Sequence, residues 1–356
     1  MSLTIDTVKQ RLNKLSVASI TSQAYREAAL SIIREAVPYA GACCTSVDPM
    51  TLLSIGATTN ESVEAIHHHL FEYEYLHEDY NSYEQLAQAE MAAASLSEAT
   101  EGHLGRSGRY QEVLLPAGFG DELRAALLCE GSCWGYLTLF RKSGEPFFLE
   151  SEILFIVAVA PILAKTLKKY ALELPSTEGV AGLEEPGFLV LSEQLQLNSS
   201  NQVARRWLSA LRGLEQIEDD TLPRPIRAIC SRALAKPASS SGESKLAKVC
   251  IRMPSGHYLS LHASRLDGTN GLTQLAVFIE PAKPSDIVPL ISEAYALSSR
   301  EKEVIERIIK AFSTKEIAKS LHISAYTVQD HLKSIFTKTG VNSRRELLWE
   351  LFSRHN

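Results

Sequence analysis

The stretch TKEIAKSLHISAYTVQDHLK, residues 314–333, decides the reading of this chain. It divides into a short helix, a tight turn at His322–Ser324, and a second helix entered through Ser324. On that second helix Val328, Leu332, Ile335 and Phe336 stand at i, i+4, i+7 and i+8, an apolar stripe that must pack inward. Gln329, Asp330 and Lys333 lie on the other side, with Tyr326 and Thr337 near it. On an isolated amphipathic helix such residues make a solvated face. In a helix-turn-helix the same face enters the major groove. There Gln329 suits adenine, Asp330 a cytosine amine and Lys333 guanine.

Serine caps delimit the surrounding helices. Ser298 precedes Glu301, Ser313 precedes Glu316, and Ser343 precedes Glu346, each spaced as a capping box. Ser324 is a fourth cap, with Thr327 in the reciprocal position. The first helix offers Val304, Ile305, Ile308, Ile309 and Phe312 to a core, and the second Ile317, Ala318 and Leu321. Gly340 ends the third as a left-handed cap. A fourth, from Ser343, presents Leu347, Leu348 and Leu351 to a partner.

SSREKEV, TKEIAKSLHIS, TVQDHLKSIF and KTGVNSRREL together resemble the LuxR-type DNA-binding domain almost end to end. The resemblance implies a four-helix, all-α unit over residues 290–356 that binds double-stranded DNA. Lys315, Ser324 and Thr327 are expected to position it on phosphates, with Lys338 and Arg344 as further contacts. Ala311-Phe312 replaces the family's usual glycine, and Thr339 its usual leucine; both changes bear on packing more than on DNA.

Charge is divided along the chain. From Ser298 onward there are eleven Lys and Arg against seven Asp and Glu, a balance of +4. The whole chain carries −6, which leaves −10 upstream. A basic end on an acidic body fits DNA binding through one patch and excludes a general nucleic-acid coat. The six cysteines show no paired-ligand spacing, and no secretory leader precedes them, so a reduced cytoplasmic protein is expected. The longest apolar run, Ile153–Ala164, is too short to span a bilayer and contains Pro161, so no membrane association is expected.

At 356 residues the chain exceeds one core. ELPSTEGVAGLEEPG (173–187) and PAKPSDIVP (281–289) read as linkers, the second followed by a short helical segment, Leu290–Tyr295. KPASSSGES (236–244) reads as an internal loop. Between the linkers, GFLVL and LQLNS form two short strands, and Asn201 starts a helix through Ala204, Trp207 and Leu208. KVCIRM and YLSLHAS flank the turn Pro254–Gly256, and QLAVFIE closes the set. The GFLVL…N…A…WL phrase resembles a PAS domain over 187–281, an α+β unit; an undistinguished α+β domain would give a similar pattern.

Residues 1–172 resemble a GAF domain, also α+β, chiefly through RYQEVLLPAGFGDELRAALLCEGSCWGYLTLFR. Leu123–Cys129 and Trp134–Arg141 read as antiparallel strands joined at Glu130–Cys133. A helix near Gln23–Val37 precedes them, and a long helix from Ser151 to about Leu172 follows. Trp134 and Tyr136 fall where such a sheet lines its ligand cavity, and equally where core residues sit. His67, His68 and His69 are consecutive, so a helix turns them about 100° apart and no metal site is expected. Cys129 and Cys133 flank a hairpin turn, as ordinary strand cysteines also do.

No G-x-S-x-G elbow, H-E-x-x-H or G-x-x-x-x-G-K-[ST] occurs, so neither a catalytic set nor an ATPase is expected. The combined expectation is a multidomain transcription regulator, not an enzyme. GAF-like and PAS-like sensors would precede a DNA reader. A homodimer is expected, with an unidentified small-molecule effector or RNA polymerase as further partners. The alternative is a signalling adaptor whose N-terminal domains bind a protein.

Overall fold

The computed structural model describes residues 4–172, 185–218, 220–235, 246–267 and 271–352. In it, two five-stranded antiparallel sheets are followed by a helical unit. The first unit opens with α1 (Ile5–Ser16) and α2 (Ser22–Ala36), whose first turns are capped by Thr4 and Thr21. There follow β1 (Gly41–Val47), β2 (Ser54–Thr59), and the helices α3 (Glu61–Glu64), α4 (His67–Leu76) and α5 (Tyr83–Gln88). After β3 (Ala93–Ser95) and α6 (Leu96–Ala99) come the long strands β4 (Phe119–Cys129) and β5 (Ser132–Lys142), then α7 (Glu150–Leu172).

The hairpin between β4 and β5 is tighter than the sequence implied. Glu130 and Gly131, at φ 53° and 84°, form the whole turn, and left-handed residues at both central positions match the natural twist of the strands. Cys133 therefore lies in β5, opposite Leu128, and all the cysteines are free thiols.

The second unit runs β6 (Gly187–Ser192), β7 (Leu197–Ser200), α8 (Gln202–Glu215), α9 (Arg224–Leu234), β8 (Lys248–Arg252), β9 (Tyr258–Asp267) and β10 (Thr273–Pro281). Its strand order, β7-β6-β10-β9-β8, repeats that of the first sheet, β2-β1-β5-β4-β3. In each unit the helical crossover sits between the second and third strands. Several residues of the GFLVL…N…A…WL phrase have a structural reason. Gly187 lets β6 approach α8, because a Cβ there would come within 2.9 Å of the Ala204 backbone. Asn201 caps α8 by accepting from the Ala204 amide at 2.8 Å, and Ala204, Trp207 and Leu208 are buried. Residues 173–184 and the expected loop at 236–244 lie outside the described residues.

The second expected linker is instead helix α10 (Pro284–Ala294). Pro284 takes the first helical position, where its missing amide costs nothing, and Asp286 accepts from the Lys283 amide at 2.9 Å. The helix α10 packs against α7 and β8 on one side and against the helical unit on the other. That unit comprises α11 (Ser299–Ile309), α12 (Thr314–Leu321), α13 (Ala325–Thr339) and α14 (Arg344–Phe352). One apolar core runs from the α7 side of the first sheet through Ile287, Leu290 and Ile291 into Val304, Ile308, Val328 and Ile335.

Candidate nucleic-acid interface and sensor cavity

The helix-turn-helix forms where its caps place it. Ser313 and Glu316 make a reciprocal capping box at the start of α12. His322 then turns left-handed at φ 54°, and Ser324 accepts from the Thr327 amide at 3.0 Å to start α13. Val328 and Ile335 are fully buried, and Leu332 and Phe336 pack against the core. The stripe thus fixes which face of α13 is left outside. Gln329, Asp330 and Lys333 are all exposed there, and Tyr326 beside them is 71% exposed.

The residues expected to hold phosphate divide into two groups. Lys315 is exposed on α12, and Lys319, one turn further along the same helix and passed over in the sequence, is exposed as well. Ser324 and Thr327 lie at the N-terminus of α13 with their hydroxyls 2.8 Å apart. Lys338 and Arg344 have structural partners instead. Lys338 Nζ donates to Glu301 Oε2 at 2.8 Å and to the Ala296 carbonyl at 3.1 Å, while Arg344 donates to the Phe312 carbonyl.

Glu301 is buried and gathers further donors, Ser334 at 2.6 Å and the Ser298 amide at 2.6 Å. Burial alone would raise its pKa, but these hydrogen bonds and Lys338 bring it down to about 2. At the other end of the unit the third capping box is only half made. Ser343 accepts from the Glu346 amide, but Glu346 reaches past it to the Asn342 amide at 2.7 Å. Leu347, expected to face a partner, is 1% exposed, and Leu348 packs on the same core. Four helices this short must spend that leucine on their own interior. The Leu351 side chain lies outside the described residues.

In the first unit the sheet has two covered faces. Leu123, Ala125, Leu127, Leu137 and Leu139 face the helices α1, α2 and α7. By strand alternation Glu122 and Arg124 on β4, Tyr136 and Thr138 on β5, and Cys43 and Thr45 on β1 point the other way. With His67, Phe71, Glu74 and Tyr75 of α4 and Tyr83 of α5 they line a partly open cavity of about 50 Å³.

Trp134 and Tyr136, expected together on the cavity wall, are separated. The β4–β5 register slips between Leu127 and Leu128, leaving Trp134 unpaired at a bulge. Trp134 consequently packs with α7 in the core, whereas Tyr136 reaches the cavity and stacks on Tyr83 at 3.8 Å.

The charged groups of the cavity wall are paired with one another. Glu122 accepts from Arg109 at 2.9 Å and from Arg124 at 3.0 Å; Arg124 also meets Glu74 at 2.7 Å and lies over the Tyr83 ring at 4.6 Å. Burial works against the Glu122 carboxylate, and the two guanidiniums outweigh it, holding its pKa below the ordinary value. Glu122 and Arg124 had a sequence signal, two opposite charges at i and i+2 within an apolar strand.

Cys43 Sγ lies 3.8 Å from His67 Nε2, but burial raises the thiol pKa and lowers that of the imidazole. Both therefore favour their neutral forms, the opposite of an activated thiolate pair. Among the described residues no group of His, Cys, Asp and Glu is arranged to hold a metal ion, and no helix is long and apolar enough to cross a membrane.

The family model for bacterial regulatory proteins of the luxR family matches residues 295–350. Spore germination protein GerE of Bacillus subtilis is 42% identical over 55 residues, which cover 15% of this chain and 74% of GerE. Transcriptional regulatory protein DesR of Bacillus subtilis is 40% identical over 65 residues, covering 18% of this chain but only 33% of DesR. Oxygen regulatory protein NreC of Staphylococcus aureus is 44% identical over 52 residues, 15% of this chain and 24% of NreC. Among solved structures, a phycoerythrobilin-bound GAF domain from a cyanobacterial phytochrome covers 48% of this chain and 98% of its own, at 14% identity and a TM-score of 0.34. Escherichia coli SdiA covers 97% of this chain and 95% of its own, at 11% identity and a TM-score of 0.32.

Proposed function

The chain belongs to the LuxR family of bacterial regulatory proteins, and on that premise we propose that it is a sequence-specific, DNA-binding transcription regulator. The observation that carries the reading is the exposed polar face of α13, fixed outward by the burial of Val328 and Ile335. Gln329, Asp330 and Lys333 read bases, while Lys315, Lys319 and the Ser324–Thr327 helix terminus hold phosphates. Lys338 and Arg344 serve chiefly the fold of the unit, since both already have partners.

The two upstream units act as GAF-like and PAS-like sensors in a cytoplasmic homodimer. Their shared strand order supports a common sensory architecture. The Tyr136–Tyr83–Arg124 cavity is the effector site within the first. At about 50 Å³ it holds only a few water molecules, so an organic effector must displace α4 or α5 to enter. That displacement supplies the difference in affinity between two states through which a ligand can bias DNA binding.

A genome-wide binding map of the intact protein, compared with that of Lys333→Ala, tests the reading head. The variant is expected to relax sequence preference at one position and to cost about 1–3 kcal/mol on the operator. Uniform weakening on every sequence would reassign Lys333 to phosphate.

A further inference from the structure

A second buried ionic cluster borders the cavity, sharing His67 and Phe71 with its wall, where α9 of the second unit packs on α4 and β2 of the first. Three guanidiniums meet there, and all are buried: Arg26, Arg224 and Arg227. Arg224 has two carboxylates, Glu215 at 2.8 Å and Glu64. Arg26 donates, among the described residues, to the hydroxyls of Thr58, Ser46 and Ser22.

Arg227 is 9% exposed and lies over the Phe71 ring at 5.5 Å, yet neither its Nε nor its Nη2 has a hydrogen-bond acceptor among the described residues. Arg224 Nε and His67 Nδ1 are buried without partners in the same way. The His67 ring is also beside Phe71, its centroid 4.8 Å away and its plane tilted by 41°.

Buried guanidinium donors are almost always satisfied, and a buried cation without a counter-charge is strongly unfavourable. Among the described residues three cations face two carboxylates here, and the unsatisfied donors belong to side chains on α9 and α4. The Nε and Nη2 hydrogens of an arginine form the fork that takes two oxygens of one carboxylate or phosphoryl group. We propose that Arg227, assisted by Arg224 and His67, binds a small oxyanion, a carboxylate or phosphoryl group, between the first and second units. The bound anion supplies the missing negative charge and ties α9 to α4. Burial lowers the pKa of Arg227, and the positive charge of Arg224 lowers it further, as expected of a cationic site lacking its anion.

The test uses the intact chain, inorganic phosphate and acetate as probes, and sodium chloride at matched ionic strength as the control. Thermal unfolding should show Tm rising with the logarithm of one probe's concentration, and isothermal titration should saturate near one anion per chain. A response to phosphate alone assigns a phosphoryl ligand; a response to acetate, a carboxylate. Arg227→Met should abolish the response. Arg227→Lys, which keeps the charge and loses the fork, should weaken it at least tenfold. The proposal is overturned if neither probe exceeds chloride on the wild-type protein, an outcome that needs no variant to fold. It is equally overturned if Arg227→Met or Arg227→Lys responds as the wild type does.

Discussion

Ala311 illustrates how one side chain carries a cost that the fold tolerates. It stands where the family usually has glycine, and its φ is +60°. A left-handed alanine costs about 1–2 kcal/mol, part of which glycine returns through its freer unfolded chain. Ala311→Gly is therefore expected to stabilise the helical unit by about 0.5–1 kcal/mol, read as a higher urea midpoint at unchanged slope. Glu301 is the opposite case, a single side chain on which two elements depend: it caps α11 and receives Ser334 and Lys338 from α13. Its folded pKa of about 2 lies below the unfolded value of about 4.3. The stability it contributes is thus fully present above pH 4.3 and is lost as pH falls toward 2. Glu301→Gln should cost about 2 kcal/mol at pH 7, and the gap from wild type should narrow through that window. A gap independent of pH would mean that the carboxylate charge contributes nothing.

Among the elements, α10 has the most to join. Asp286 receives Lys248 from the second sheet at 2.7 Å, while Glu293 links Ser132 of the first unit at 2.8 Å to Lys302 of α11 at 2.7 Å. A fragment starting at residue 298 would leave the apolar surface that α10 covers open to water. A fragment 284–356 should therefore unfold at higher temperature than 298–356 and bind the operator more tightly, as paired melting curves and mobility shifts would show. Equal behaviour would make α10 a mere tether. The sequence hid this helix because its prolines read as breakers, although Pro284 occupies the position where proline is tolerated. The helix-turn-helix was legible because caps and a 3.6-residue stripe are local signals. Sheet order was not, since pairing β1 with β5 joins residues some ninety positions apart and no local pattern encodes the partner. Half of the expected cavity wall failed for a related reason: a bulge at Trp134 shifts the side-chain phase, and Gly135 is the one trace of it in SCWGY.

Across the whole molecule, the acidic body and basic end leave one short recognition helix per chain to find an operator. A single helix-turn-helix reads few base pairs, so useful specificity requires two copies on half-sites about one helical turn apart. Leu347 cannot hold such a dimer together, because it is already spent on the interior. The apolar surface around the start of α7 is better placed: Phe147 and Leu149 just before the helix and Leu154 within it are 43%, 61% and 51% exposed, and α7 packs against α10. A contact there would connect the sensor units of both copies to both readers through one helix pair. Sedimentation of the intact protein at micromolar concentration should show a dimer, and Leu149→Asp with Leu154→Asp should shift it to monomer while leaving the melting temperature near that of the wild type. The double variant should also lose affinity for a two-half-site operator far more than for a single half-site. A wild-type monomer with and without operator would remove the dimer, and with it the requirement for a palindromic site.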